Sequence, residues 1–433
     1  MYRQRMRVVL VTIMSAALTI SCVKAEPCGD FSDTQALEHA PFRRTTGLRW
    51  HRLEPLEKGL APYGSPAAVT VARNMVALQT AVGGWMKNTD PDCDLLSEQD
   101  IESLKQTNQD SAFPDSRVYS HHVTTLDNQT THSHIRFLLR AAVATGNSDF
   151  ASAAKAGLDY LLRAQYDSGG WPQNYPNLSS YGAYVTFNDG AMTGALRALQ
   201  DAYEGNFPFI SSVERSRYRA AFERGIEYIL RAQISIDGQP SGWAQQYLPG
   251  PDLQPAQGRV YELPAVSSLA TVDTLKLLRA LDDPSAEVKS AVNRGIAWLQ
   301  AVKMQGIRIE KVSLESPAQT LQLEYAEDPS AAPSQHRFDP SRYGFDKVVV
   351  SDMTSEPLWA RFYDLRLSRP LFSDWSGEPK RHLADVDYDR RIGYMWYVPQ
   401  ATVDDIIRYP FPNVPVPPFK LPQVPPKPPK VGN

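Results

Sequence analysis

The chain has 433 residues, enough for one large domain or two ordinary ones. Hydrophobic residues make up 42% and charged residues 21%, a balance typical of a globular protein with a sizeable core. The formal net charge of −3 implies no broad positive field, which argues against a nucleic-acid partner.

The first 25 residues have the three parts of a secretory signal peptide. Three arginines within residues 3–7 precede an apolar run at 8–20, and residues 23–25 fit the small-residue cleavage pattern. The apolar run is too short to span a bilayer comfortably. We therefore expect a secreted or periplasmic protein with no membrane attachment after cleavage. A membrane anchor is one alternative, and Cys22 allows a second, a lipoprotein.

Cleavage after residue 25 leaves two cysteines, Cys28 and Cys93. An even number of cysteines in an oxidising compartment favours one disulfide, which would tie the N-terminal segment to the domain. Residues 26–64 otherwise form an irregular lead-in.

From residue 65 to about 303 the dominant period is helical. A pattern recurs within this stretch: a glycine in a helix, an aromatic residue three positions on, a glutamine, and a Gly-Trp pair. Its complete and partial copies lie at residues 78–85, 156–171, 224–243 and 294–303. Repeated helix pairs bury a common core only by stacking on their neighbours. The sequence thus predicts an all-α fold, an (α/α) toroid or partial barrel of helical hairpins with long irregular loops.

The remaining sequence is less regular. Residues 310–350 are polar and contain prolines, with a possible short strand at 347–350, and a helical pattern returns at 395–408. We place the main domain at residues 65–408. The proline-dense segment 409–433 is expected to be extended or disordered, as a solvated terminus or, alternatively, as a binding motif.

Four loop segments carry charged, amide and aromatic residues that the helical period does not explain; they lie at 83–88, 126–128, 171–190 and 257–262. Asp127 with Asn128 and Asn188 with Asp189 are pairs of oxygen donors, the ligands that Ca²⁺ prefers. If the fold brings the two pairs together, they form an incomplete site that a substrate carboxylate can complete. Helix N-capping is the alternative role.

The tryptophans of the repeat allow two interpretations. Trp85, Trp171 and Trp243 each follow a glycine at the end of a helix. They can pack against the inner wall of the helical domain. If they face solvent, each offers a flat platform for a sugar ring.

These segments, in this order, resemble the pectate lyases of polysaccharide lyase family 10. The likeness covers about residues 65–400 and runs through 83–88, 127–128, 169–173, 187–190, 258–262, 359–363 and 394–397. It implies an (α/α) toroid-like catalytic domain with a central cleft. It also implies calcium-assisted anti-β-elimination on polygalacturonate or pectin, giving unsaturated oligogalacturonides. We expect a monomer.

The resemblance also implies roles for individual residues. Asp127 and Asp189 correspond to the acidic residues that hold calcium or substrate, and Arg259 corresponds to the proposed Brønsted base. The expected catalytic residues are Arg259 and Asp127. The expected calcium ligands are Asp127, Asn128 and Asp189. The expected substrate-binding residues are Lys87, Asn174, Tyr184 and Arg361.

The expected chemistry explains a need for positive charge. A C5 proton beside a uronate carboxylate is weakly acidic, and a metal ion with cationic side chains stabilises the charge left on its removal. Arginine normally stays protonated, so Arg259 needs a strong local positive potential, to which calcium contributes. Lys87 is the alternative base because a lysine pKa falls more readily. A salt bridge to Glu262 is the alternative role of Arg259.

Other functions remain open from the residues alone. An inverting glycoside hydrolase on an (α/α) barrel would use Asp127 and Asp189 as acid and base and would give saturated products without calcium. A non-catalytic secreted carbohydrate-binding protein would bind sugar without turnover. The spacing of Gln165, Gly169 and Trp171 also resembles the QW repeats of triterpene cyclases, which can be purely structural.

Overall fold

A computed structural model of the chain describes residues 61–86, 97, 99, 124–313 and 345–423. The expected signal peptide, both cysteines of the expected disulfide and Lys87 lie outside these described residues. Within the described ranges, no helix is both long enough and apolar enough to cross a membrane.

Helices dominate the first two thirds of the described chain. Their bounds are α1 Pro66–Leu78, α2 His132–Thr145, α3 Ser148–Ala164, α4 Ala191–Glu204, α5 Ser212–Arg231, α6 Ser268–Arg279 and α7 Ala286–Ala301. The hairpins α2–α3, α4–α5 and α6–α7 lie side by side, because α2 packs on α4 and α4 on α6, while α3 packs on α5 and α5 on α7. The predicted helical period is confirmed. The closed toroid stays a prediction.

Glutamines of the repeat tie each hairpin to the next. Gln165 follows α3, and its side-chain amide donates to the carbonyls of Gly169 at 2.9 Å and Ala221 of α5 at 2.8 Å. In the same way, Gln79 joins its own turn to α3, and Gln233 joins its own turn to α7. One side chain therefore satisfies backbone acceptors of two successive hairpins, which fixes their relative position.

The tryptophans of the repeat are core residues. Trp171 is fully buried, and its indole N–H donates to the carbonyl of Leu161 at 2.8 Å. Its ring packs against Gly225 of α5, where an added Cβ would lie 2.9 Å from it. Trp85 and Trp243 are equally buried and donate to helix carbonyls in the same manner. The interpretation of these tryptophans as sugar platforms is therefore wrong, because no ring face is exposed.

A further copy of the tryptophan pattern lies beyond the predicted repeat. Trp359 is fully buried and donates to the carbonyl of Leu299 at 2.7 Å. Tyr363, four residues later, accepts from the Ala360 N–H and donates to a helix-end carbonyl, as Tyr247 does four residues after Trp243. The repeating unit therefore extends into the C-terminal part of the chain.

Short antiparallel strands connect the helical units at one end. Their bounds are β1 Val185–Thr186, β2 Ser235–Ile236, β3 Gln239–Pro240, β4 Trp243–Ala244, β5 Gln246–Tyr247, β6 Val266–Ser267, β7 Ile307–Ser313, β8 Phe345–Ser351, β9 Leu358–Ala360, β10 Phe362–Tyr363, β11 Phe372–Ser373, β12 Pro379–Lys380 and β13 Tyr397–Pro399. β6 lies between β4 and β10, and the pairs are β1–β5, β2–β3, β7–β8, β9–β13 and β11–β12. The predicted strand at 347–350 is confirmed within β8.

Two short helices, α8 Tyr388–Gly393 and α9 Gln400–Ile407, lie on either side of β13 in the chain. The helical pattern predicted at 395–408 is right only for α9, because β13 occupies the residues before it.

The described part of the proline-rich tail, residues 409–423, is extended but docked. Asn293 of α7 donates to the carbonyl of Phe411 at 2.9 Å, and Phe419 is buried in the core. Lys420 and Gln239 exchange two hydrogen bonds at 2.8 and 2.9 Å. These residues are extended, as expected, and most of them are exposed, but Phe411, Phe419 and Lys420 attach the segment to the helical domain.

The contact between Trp171 and Gly225 yields a stability prediction. In Gly225→Ala, the added methyl would lie 2.6 Å from Leu196 and 2.9 Å from Trp171. Because this overpacks the core, we expect a loss of about 1–3 kcal/mol of unfolding free energy, despite the helix propensity gained, roughly 1 kcal/mol. Urea unfolding measures it. Gly393→Ala is the control, because nothing lies within 4 Å of its Cβ position. Equal stability of both variants would contradict the packing account.

Candidate active site

The two predicted oxygen-donor pairs lie on equivalent turns. Single 3₁₀ turns at Asp127–Gln129 and Asn188–Gly190 precede α2 and α4, the first helices of two successive hairpins, which we call the inner helices. The two turns are in contact. Asn128 and Asp189 have φ values of 48° and 50°. Asn and Asp tolerate this left-handed conformation better than most residues. The structure thus brings the two pairs together.

Local hydrogen bonds orient both carboxylates. Asp127 is buried, and its Oδ1 accepts from the Asn128 N–H at 2.9 Å. The Asp189 Oδ2 accepts from the Asn188 side-chain amide at 2.8 Å. Each aspartate is therefore held by its neighbour in the sequence.

The oxygen chemistry of these turns suits a hard cation such as Ca²⁺. Within the described residues, no group of three or more His, Cys, Asp or Glu side chains is arranged to hold a metal ion. A cation bound between the turns would need further oxygen ligands beyond Asp127 and Asp189. These oxygen donors fit the prediction of an incomplete cation site.

The inner helices present backbone donors beside the turns. The N-cap residues of α2 and α4 are Thr131 and Gly190, and neither makes a side-chain hydrogen bond to the helix that follows it. In contrast, α5 begins with a capping box formed by Ser211 and Glu214. Uncapped N–H groups and the helix dipole favour an anion at these N-termini.

Arg361 lies beside the aspartate turns. Its Nη2 donates to the Asn188 Oδ1 at 3.3 Å, and its guanidinium stacks 4.6 Å from the ring centre of Tyr394. Its Nε is buried and has no hydrogen-bond partner among the described residues. In the described chain no carboxylate forms an ion pair with Arg361, so its charge is available to a bound anion.

The tryptophan repeat explains the position of Arg361. It follows Trp359 by two residues, as Gln173 follows Trp171 and Gln245 follows Trp243. These two glutamines hold the turns through their backbone carbonyls. The Gln173 carbonyl accepts from the Leu126 N–H at 2.8 Å, and the Gln245 carbonyl accepts from the Asn188 N–H at 3.1 Å.

Lys87 occupies the corresponding sequence position after Trp85, outside the described residues. The sequence analysis missed this equivalence, although the tryptophan spacing carried the signal.

Arg259 forms a two-pronged pair with Glu262. Its Nε donates to Oε2 at 3.0 Å and its Nη2 to Oε1 at 2.5 Å. Burial works to raise the pKa of Glu262, but the charge and hydrogen bonds of Arg259 hold it at about 2. Burial works to lower the pKa of Arg259, but Glu262 keeps it well above its usual range. The alternative salt-bridge role is therefore present, and it makes proton acceptance by Arg259 harder.

A continuous set of contacts connects the two arginines to the turns. The Tyr394 hydroxyl lies 3.5 Å from the Glu262 Oε1, and the Tyr394 ring stacks on Arg361. Arg361 in turn reaches Asn188. Sequence reasoning gave Glu262 only a structural role and gave Tyr394 none, because the contact that links them joins residues far apart in the chain.

Asn174 and Tyr184 lie on the loop after Trp171. Asn174 is buried, pairs with Thr125 in a β-bridge and donates its N–H to the carbonyl of Gly182 at 3.0 Å. Tyr184 is half-buried and ends a 3₁₀ turn of the same loop. These contacts place Asn174 beside the strand that leads to Asp127 and leave both substrate-binding roles as predictions.

Comparison with known proteins gives one family. The model of the pectic acid lyase family matches residues 79–333 and 333–403. A solved variant of a family 10 polysaccharide lyase from Cellvibrio cellulosa, with an aspartate changed to alanine and in complex with trigalacturonic acid, is 26% identical with a TM-score of 0.60. The alignment covers 82% of this chain and 98% of that one.

A second structure, of the family 10 polysaccharide lyase from Cellvibrio cellulosa, matches with the same identity and TM-score and is covered over 94% of its length. The comparison with curated proteins gave no match.

Proposed function

This chain belongs to the pectic acid lyase family and is a polysaccharide lyase, and from that premise we propose that it cleaves polygalacturonate by calcium-assisted anti-β-elimination. The products are unsaturated oligogalacturonides. The main structural support for this proposal is the set of contacts that joins Arg259 and Arg361 to the two adjacent aspartate turns. The trigalacturonic acid bound to the Cellvibrio cellulosa lyase variant supports this substrate class.

The site suits an anionic sugar. Guanidinium groups bind carboxylates through hydrogen bonds. Arg361 provides such a group without a carboxylate in ion-pair contact, whereas the Nε and Nη2 of Arg259 are held by Glu262, which leaves its other N–H groups for a substrate. The uncapped N-termini of α2 and α4 add backbone N–H donors next to the turns. A uronate carboxylate therefore finds hydrogen-bond donors there, and a cation bound between the aspartate turns would supply positive charge.

Asp127, Asn128 and Asp189 would hold the calcium ion. Their oxygens match the preference of Ca²⁺, and the small number of carboxylates leaves ligand positions for the uronate itself. When bound, the ion supplies Lewis-acid stabilisation of the charge that develops at the uronate carboxylate. We keep Asp127 as a catalytic residue because, as a ligand of the ion, it would fix the position at which the uronate carboxylate binds.

The proton acceptor is the second question, and we assign it to Arg361 in preference to Arg259. Glu262 raises the pKa of Arg259 through a direct ion pair, whereas Arg361 interacts with Glu262 only at longer range and has no carboxylate within ion-pair distance in the described chain. For the elimination, Arg361 first gives up a proton to solvent. Its neutral guanidine nitrogen then accepts the C5 proton, and the C5–H electron pair forms the C4–C5 double bond. The C4–O bond breaks toward the leaving oxygen, which takes a proton from water. Arg259 then binds substrate.

The remaining assignments stand as proposals. Lys87 binds substrate at the position that Arg361 occupies in its own repeat, and Asn174 and Tyr184 line the neighbouring loop. The signal peptide at residues 1–25 directs the protein to the periplasm or the medium, where it acts as a monomer. The helical hairpins close into an (α/α) toroid. Family membership weighs against a glycoside hydrolase or a sugar-binding protein without activity.

Calcium dependence is the first test. Because two aspartates alone bind the ion incompletely, EDTA should abolish the release of unsaturated products from polygalacturonate, and added Ca²⁺ should restore it. The ultraviolet absorbance of the unsaturated uronate follows the reaction. Saturated products, or full activity in EDTA, would contradict the proposal.

Paired arginine variants test the assignment of the base. Arg361→Ala should lower kcat by roughly 10²–10⁴-fold, since a general base contributes about that much, whereas Arg259→Ala should mainly raise KM. Steady-state kinetics at saturating Ca²⁺ separates the two effects. Arg308→Ala, on β7, is the control and should leave both constants unchanged. A large loss of kcat only in Arg259→Ala would return the base to Arg259.

A further inference from the structure

Behind the two site arginines lies a third, deeply buried one. Arg390 of α8 is 2% exposed, and its guanidinium donates to the carbonyls of Ser373 and Tyr261, both at 3.1 Å. Within the described residues it forms no ion pair with a carboxylate. Glu262 and Asp389 act on Arg390 only at longer range, and a buried cation without a directly paired carboxylate is costly unless other contacts compensate.

Aromatic rings supply that compensation. The Arg390 guanidinium lies 4.1 Å from the ring centre of Tyr261, 4.4 Å from Tyr394, 4.8 Å from Trp396 and 5.3 Å from Trp375. Each distance is within the range of a cation–π interaction. We call these four side chains the aromatic cage.

Two members of the aromatic cage, Tyr261 and Tyr394, also contact the site arginines. The Arg259 guanidinium lies 4.9 Å from the ring centre of Tyr261, and the Arg361 guanidinium lies 4.6 Å from that of Tyr394. The Tyr394 hydroxyl also lies near Glu262, the partner of Arg259. Arg390 therefore touches both rings on which the substrate-facing arginines rest.

We propose that Arg390 is a positioning residue for the elimination: through Tyr261 and Tyr394 it holds Arg259 and Arg361 in their working orientations. This inference rests on the proposed function. The charge of Arg390 fixes the two rings, and each ring fixes one guanidinium. Small displacements of groups that orient a substrate cost large factors in rate, so the effect of Arg390 reaches both binding and turnover without contact with substrate.

The next residue of the same helix offers a matched control. Arg391 is also buried, but its guanidinium pairs with Asp346 of β8 through two hydrogen bonds of 2.8 Å. Its contacts with Asp346 and with the carbonyl of Val386 hold β8 and the segment before α8 together. Loss of Arg391 therefore tests the general stability of this region.

The experiment compares Arg390→Met, Arg390→Lys and Arg391→Met with wild type on polygalacturonate at saturating Ca²⁺, with the folded fraction of each measured by urea unfolding. Arg390→Met should lower kcat at least about tenfold and raise KM at least about threefold, because both arginines lose their support. Arg390→Lys keeps the charge and should recover part of both losses. Partial unfolding alone would lower apparent kcat without a change in KM, which is the result expected for Arg391→Met.

Unchanged kcat and KM in Arg390→Met, or equal changes in KM for Arg390→Met and Arg391→Met, would overturn the inference while leaving the proposed function intact. An inactive wild type would instead overturn the proposed function and this inference with it. If Arg390→Met does not fold, Arg390→Gln decides: it keeps a hydrogen-bond donor for the carbonyls but not the charge, so kcat and KM equal to those of wild type would contradict the proposal.

Discussion

The structure depends on the contact between a buried tryptophan and the glycine of the next helical hairpin. Trp171 fills the space that a side chain at Gly225 would need, and the equivalent tryptophans act in the same way. Each ring also donates a hydrogen bond to a helix carbonyl, and glutamines such as Gln165 join the same two hairpins. Successive hairpins are therefore fixed in spacing and orientation, and so are the turns at their ends.

The chemistry of the site follows from this spacing. Gln173, Gln245 and Arg361 each follow a tryptophan of the repeat by two residues, and the backbone carbonyl of each accepts a hydrogen bond next to the start of a helix. Arg361 adds a cationic side chain that reaches Asn188 to this common backbone role. The C-terminal segment adds a second layer, in which Arg390 and Tyr394 support the guanidinium groups from behind.

Much of this was predictable from the sequence, because the information was periodic or local. The helical period, the repeat and the two Asp-Asn pairs all come from spacing and residue type. The copy at Trp359 was missed because no glycine directly precedes it. The pair between Arg259 and Glu262 was foreseen only as an alternative, since sequence proximity does not reveal burial. The aromatic cage was not predictable, because it joins residues more than a hundred positions apart.

The central claim is that the two aspartate turns and the two arginines grip one uronate between them. A crystal structure of a slowly turning Arg361→Lys variant with Ca²⁺ and trigalacturonic acid tests this most directly. The account predicts a uronate carboxylate in contact with Arg259 and with a calcium ion held by Asp127 and Asp189. A trisaccharide bound away from both turns, or calcium bound elsewhere on the chain, would contradict it.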